Sequence, residues 1–116
     1  MKLDSLLLGV IYFIIGHVLV WFQLNGQFFK MDWFRKNEII VAGFGLVISF
    51  FYIWATKHTV ESFNGLLWPA RFIGFAIGIL IYALFVAIFF NEGISTKTFI
   101  SLMLCILLIC IQVLWK

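Results

Sequence analysis

LLWPARFIGFAIGILIYALFVAIFF, residues 66–90, decides how the rest of the chain is read. Arg71 is the one charged residue in the run. Twenty-five residues exceed the roughly 20 needed for a helix to cross the ~30 Å hydrocarbon core of a bilayer. Pro69 stands near the start, where its missing N–H costs a helix little. Gly74 and Gly78 lie one turn apart as a GxxxG pair, which lets another helix approach closely. Asn91, Glu92 and Gly93 end the run. The stretch predicts a membrane helix over 67–90.

Composition extends that reading to the whole chain. Of its 116 residues 65% are hydrophobic and 11% charged, too apolar for a soluble domain of this size. A single transmembrane domain over 1–116 is expected. The net charge of +3 does not indicate nucleic acid, because the basic residues lie at the ends of apolar runs, where lipid head groups meet protein. Cys105 and Cys110 are five apart on one helix, so their side chains diverge. With no His or Cys beside them they read as small packing or lipid-facing residues, with no metal site and no cofactor implied. The apolar run after Lys2 is too long for a cleaved leader, and no small-x-small site follows it, so it is expected to remain as a span.

Three further runs have spanning length. The first helix is predicted over 5–24, with Ser5, Gly9, Tyr12 and Gly16 on one small, weakly polar face suited to helix contact or a cavity wall. His17 adjoins that face deep in the span, and Gln23, Asn25 and Gln27 continue as a polar trail out of it. The loop NGQFFKMDWFRKNE mixes aromatic and basic residues as an interface segment does, with Phe28, Phe29, Trp33 and Phe34 placed to enter the head-group region. The second helix is predicted over 39–56. Gly43 and Gly45 loosen its first half, Ser49 is placed to bond a neighbour, and Tyr52 and Trp54 approach the far interface. KHTVESFNG then reads as a loop. NEGISTK makes a tight hairpin into a fourth helix over 98–115, capped by Ser95 or Thr96. Trp115 and Lys116 mark the last interface.

The fold class is therefore all-α: a four-helix membrane bundle with both termini on one side. That side collects Lys2, Lys57, Arg71 and Lys116; the other collects Lys30, Arg35, Lys36 and Lys97. Four against four gives the positive-inside rule nothing to act on, a balance expected of a protein that inserts in both orientations.

The segment GFAIGILIYALFVAIFFNEGISTKTFISLMLCILLICIQVLW, residues 74–115, resembles the C-terminal half of small four-helix members of the drug/metabolite transporter superfamily, including the small multidrug resistance family. In that family a glycine-bearing third helix ends in an aromatic–x–acidic element, followed by a short loop and an aliphatic fourth helix. Gly74 and Gly78 stand for the glycines, and Phe90 and Glu92 for the turn. The resemblance covers about half the chain and implies a small transporter; a four-helix subunit is too small to enclose a wide solute path alone, so two copies are expected to line it. The family's first helix carries a membrane-embedded glutamate that binds proton and cationic substrate in turn. No acidic residue lies at that depth here; His17 stands closest to the position, and Asn25 lies where the family has a helix-end lysine.

His17 is the leading candidate for chemistry at membrane depth, because an ionisable group there tends to face a cavity or a partner. Its ordinary pKa near 6.5 suits a proton-linked switch. The alternative is a structural ring bonded to a carbonyl, to Tyr12 or to Gln112. Arg71 offers a donor fork to an anion, and otherwise reaches lipid phosphate or pairs with Glu61. The substrate or proton site is thus read as His17, Tyr12, Gln23, Asn25 and Arg71, and the packing set as Gly9, Gly16, Gly74 and Gly78. No Ser–His–Asp set, metal-ligand cluster or phosphate loop is present in the sequence, so no enzyme is expected. The expectation is a small transporter-like protein of a bacterial-type cytoplasmic membrane, moving a small solute as a homodimer. The competing expectation is an accessory or assembly subunit of a larger membrane complex.

Overall fold

A computed structural model describes residues 2–115; Lys116, assigned above to an interface, lies outside them. Every regular element among the described residues is helical. They are α1 (Leu3–Asn25), a 3-10 turn (Gly26–Phe28), α2 (Trp33–Lys36), α3 (Glu38–Gly43), α4 (Gly45–Ser62), α5 (Trp68–Phe90) and α6 (Thr96–Leu114). Among the described residues, four stretches are long and apolar enough to cross a membrane: Leu3–Phe28, Glu38–Ser62, Trp68–Phe90 and Thr96–Leu114. The chain is an integral membrane protein with an all-α, four-span fold.

The second span departs from a single helix over 39–56. It breaks between α3 and α4 at Phe44, where the backbone N–H turns to the carbonyls of Ala42 and Val41. Gln23 of α1 donates its amide to the Val41 carbonyl at 3.1 Å. A side chain entering the ladder in this way is a recognised cause of a helix break, and the flanking glycines Gly43 and Gly45 lower its cost. At the other end α4 runs on to Ser62, through residues expected to be a loop. Tyr52 is therefore well inside the span and not at the far interface. Nor does Ser49 bond a neighbouring helix; its hydroxyl donates back to the Gly45 carbonyl of its own helix at 2.7 Å.

Lipid gives helices no hydrophobic reason to associate, so close packing and interhelical hydrogen bonds must hold them. α1 supplies both from two faces. Its small face packs on α4: a Cβ at Gly9 would lie 3.0 Å from the Thr59 backbone nitrogen and 3.1 Å from the Ala55 carbonyl oxygen. Tyr12 continues this face, stacked on His58 with centroids 5.7 Å apart and planes at 19°. The second face, Phe13, His17 and Trp21 at intervals of four, packs on α5. Leu6, Phe13, Ala55, Ile73 and Ile77 form the core shared by α1, α4 and α5.

α6 is attached differently. Ser95 caps it by accepting from the Thr98 backbone N–H at 3.2 Å, and five residues join it to α5. Cys105 is the single buried residue of α6, whereas Cys110 is exposed. The molecule is a slab, 48 × 36 × 18 Å, with α6 along one edge of α5.

Both described ends lie at one end of this slab. The Lys2 backbone N–H donates to the Ser62 carbonyl at 3.0 Å, and Val113 packs against the core cluster that contains Leu6. Single cysteines at Lys2 and Trp115, with Cys105 and Cys110 replaced by alanine, should therefore react with an impermeant maleimide from the same side within each molecule. Labelling from opposite sides would contradict the four-span topology.

Candidate functional site

Between α1, α4 and α5 lies a groove of about 560 Å³. α1 contributes Phe13, His17, Val20, Trp21, Leu24 and Asn25; α4 contributes Tyr52 and Thr56; α5 contributes residues from Ala70 to Tyr82, with Leu67 just before it. α1 and α5 run in the same direction, since each is separated from the other by one return span. Arg71 is thus near one end of the groove and Asn25 near the other, with His17 between them.

His17 is half-buried and joins the three helices. Its Nε2 lies 2.8 Å from the Gly74 carbonyl oxygen of α5. Its Nδ1 lies 3.0 Å from the Tyr52 hydroxyl of α4. A carbonyl only accepts, so Nε2 carries the hydrogen. In the neutral ring Nδ1 then accepts from the Tyr52 hydroxyl, and both nitrogens are satisfied. Tyr52 also meets the imidazole edge-on, with centroids 5.2 Å apart and planes at 78°.

The GxxxG pair makes this arrangement possible. A Cβ at Gly78 would stand 2.6 Å from His17 Cε1, and one at Gly74 would stand 2.8 Å from Phe13 Cε1. The two glycines therefore form a seat for α1 within the chain. Only hydrogen at these positions allows the ring to reach the Gly74 carbonyl.

The five candidate site residues separate into two groups. His17, Asn25 and Arg71 line the groove. Tyr12 does not; it sits among Phe51, Trp54 and His58 on the α4 side. Gln23 holds the break at Val41. The polar trail is also not continuous: Asn25 donates to the Trp21 carbonyl at 3.0 Å and Gln27 to the Leu24 carbonyl at 2.8 Å. Gln27 thereby satisfies a carbonyl that the last turn of α1 would otherwise leave free, and Asn25 adds a second donor to a carbonyl of its own helix. Arg71 is exposed, and it makes no ion pair with Glu61 or any other acid among the described residues.

Tyr52, Thr56 and the Gly74 carbonyl also join the site, although the sequence pointed Tyr52 to the far interface, Gly74 to helix packing and Thr56 to no role. A helix pattern carried from Gly45 to Ser62 would have put Tyr52 at mid-span; the polar run after Thr56 hid that continuity. Beyond Trp21, aromatic packing seals the far end, where Phe85 meets the indole at 5.3 Å and Phe89 stacks on it at 5.5 Å. Phe29 packs on Phe90 at 5.3 Å and draws the interface loop inward, while Phe28 and Trp33 stay exposed.

No family model, no curated protein and no solved structure matches this chain.

Proposed function

We propose that this chain is a small transporter-like protein of a bacterial-type cytoplasmic membrane, taking a small solute into the groove and working as a homodimer. The observation that carries the reading is a side-opening groove with one titratable ring at mid-span, bonded to two neighbouring helices. A ring placed there can report the presence of a solute or proton to all three helices at once, because its hydrogen-bond partners lie on α4 and α5. The slab shape supports the dimer: a subunit 18 Å thick is too thin to enclose a solute path alone, and two copies would line one together. Apolar helices, as opposed to the alternating strands of a barrel, support the choice of membrane.

The accessory-subunit reading has one observation in its favour, the outer surface of α6, which no described element covers. Extraction in mild detergent without cross-linking separates the two. The transporter reading expects an assembly of two copies of this chain with no second protein in fixed stoichiometry. A fixed-ratio complex with a larger membrane protein would replace it with the accessory role.

A further inference from the structure

Arg71, Phe75, Ile79 and Tyr82 follow one another at intervals of four, four and three, so they form one stripe along α5. All four are exposed and all four line the groove. The stripe is cationic at its interfacial end, where Arg71 lies three residues inside α5, and is apolar through Phe75 and Ile79. From Ala70 to Tyr82 the groove follows about 18 Å of helix at 1.5 Å per residue. One leaflet contributes about half of the ~30 Å hydrocarbon core, so the groove is long enough to receive an acyl chain with its head group at the interface.

We propose that the groove binds one anionic glycerophospholipid from the surrounding leaflet, with the head-group phosphate on the Arg71 guanidinium and one acyl chain along Phe75 and Ile79. This names the ligand class for the groove assigned above to solute transport, and it rests on that assignment of the site. Charge complementarity selects the occupant. Arg71 has no acidic partner among the described residues, and its planar fork matches two phosphate oxygens. A zwitterionic head group brings its own cation, which competes for the same phosphate. A soluble anion would gain nothing from the apolar stripe beneath the guanidinium.

The test is native mass spectrometry of the full chain after reconstitution in vesicles of equal phosphatidylglycerol and phosphatidylcholine, then extraction in mild detergent. One phosphatidylglycerol per chain is expected, enriched about tenfold over phosphatidylcholine. Arg71→Gln should abolish the preference and Arg71→Lys should keep only part of it, since a point charge still attracts phosphate but loses the two-pronged contact. Ile79→Trp keeps the cation and fills the chain-binding strip, so it should reduce retention of both lipids while circular dichroism shows unchanged helix content. Equal retention of the two lipids by the wild type, a preference that survives Arg71→Gln, or displacement by millimolar inorganic phosphate would each overturn the proposal. Retention is read without any movement across a membrane. Lipid held by a chain that moves no solute would remove the transport reading alone, and solute movement by a chain that retains no lipid would remove the lipid alone.

Discussion

Gly78→Leu is expected to destabilise the folded chain by about 1–3 kcal/mol, the usual cost of overpacking a well-filled contact. A Cβ at this position would approach His17 Cε1 to 2.6 Å and Nδ1 to 2.9 Å, before any further leucine atoms are added. The imidazole has nowhere to retreat without breaking its bond to the Gly74 carbonyl, to the Tyr52 hydroxyl, or both. Alternatively α1 and α5 separate and lose the dispersion contacts that hold helices together in lipid. The matched control is Gly43→Ala, where a Cβ would meet nothing within 4 Å. Unfolding in increasing denaturing detergent should show a lowered midpoint for Gly78→Leu and no comparable lowering for Gly43→Ala, where alanine's better helix propensity offsets a stiffer break. Because the seat lies within one chain, the loss should appear at every protein concentration. A midpoint for Gly78→Leu equal to wild type would mean that this face of α5 looks at lipid.

Substitution of His17 should have the largest effect on activity. Protonation would place a hydrogen on Nδ1, and the Tyr52 hydroxyl would then have to turn its lone pair to the ring and its own hydrogen elsewhere. On the transporter reading proposed above, this rearrangement of the groove wall is what would couple a proton to the solute. Movement of the solute by proteoliposomes should depend on pH, and His17→Ala should abolish that dependence in a protein that remains folded. Stability gives a second readout. His17→Leu leaves the Tyr52 hydroxyl without its partner and should cost about 1–2 kcal/mol. His17→Gln, which can still donate and accept, should recover part of that loss but not the pH dependence. A folded His17→Ala variant with unaltered pH-dependent activity would take this residue out of the mechanism and favour the accessory role.

Four apolar runs separated by short polar connections were enough to specify an all-α membrane fold, because in lipid a backbone must satisfy its own polar groups and a helix does so locally. The same locality made the seat at Gly74 and Gly78 legible as a contact, although not which helix fills it. The capping of α6 was legible for a related reason: Ser95 bonds a backbone N–H only three residues away. The partners of His17 were a different matter. A carbonyl 57 positions away and a hydroxyl 35 positions away reach one imidazole only after three helices have packed in a particular rotation. Tertiary structure likewise decided that Gln23 serves a helix break, that Tyr12 faces α4, and that Arg71 heads an apolar stripe along a groove. Sequence spacing places side chains on a helix face, but the neighbour that face meets depends on helix rotation and contact. In a chain this apolar, nearly every face is hydrophobic enough to meet either lipid or protein, so hydropathy alone could not choose between them.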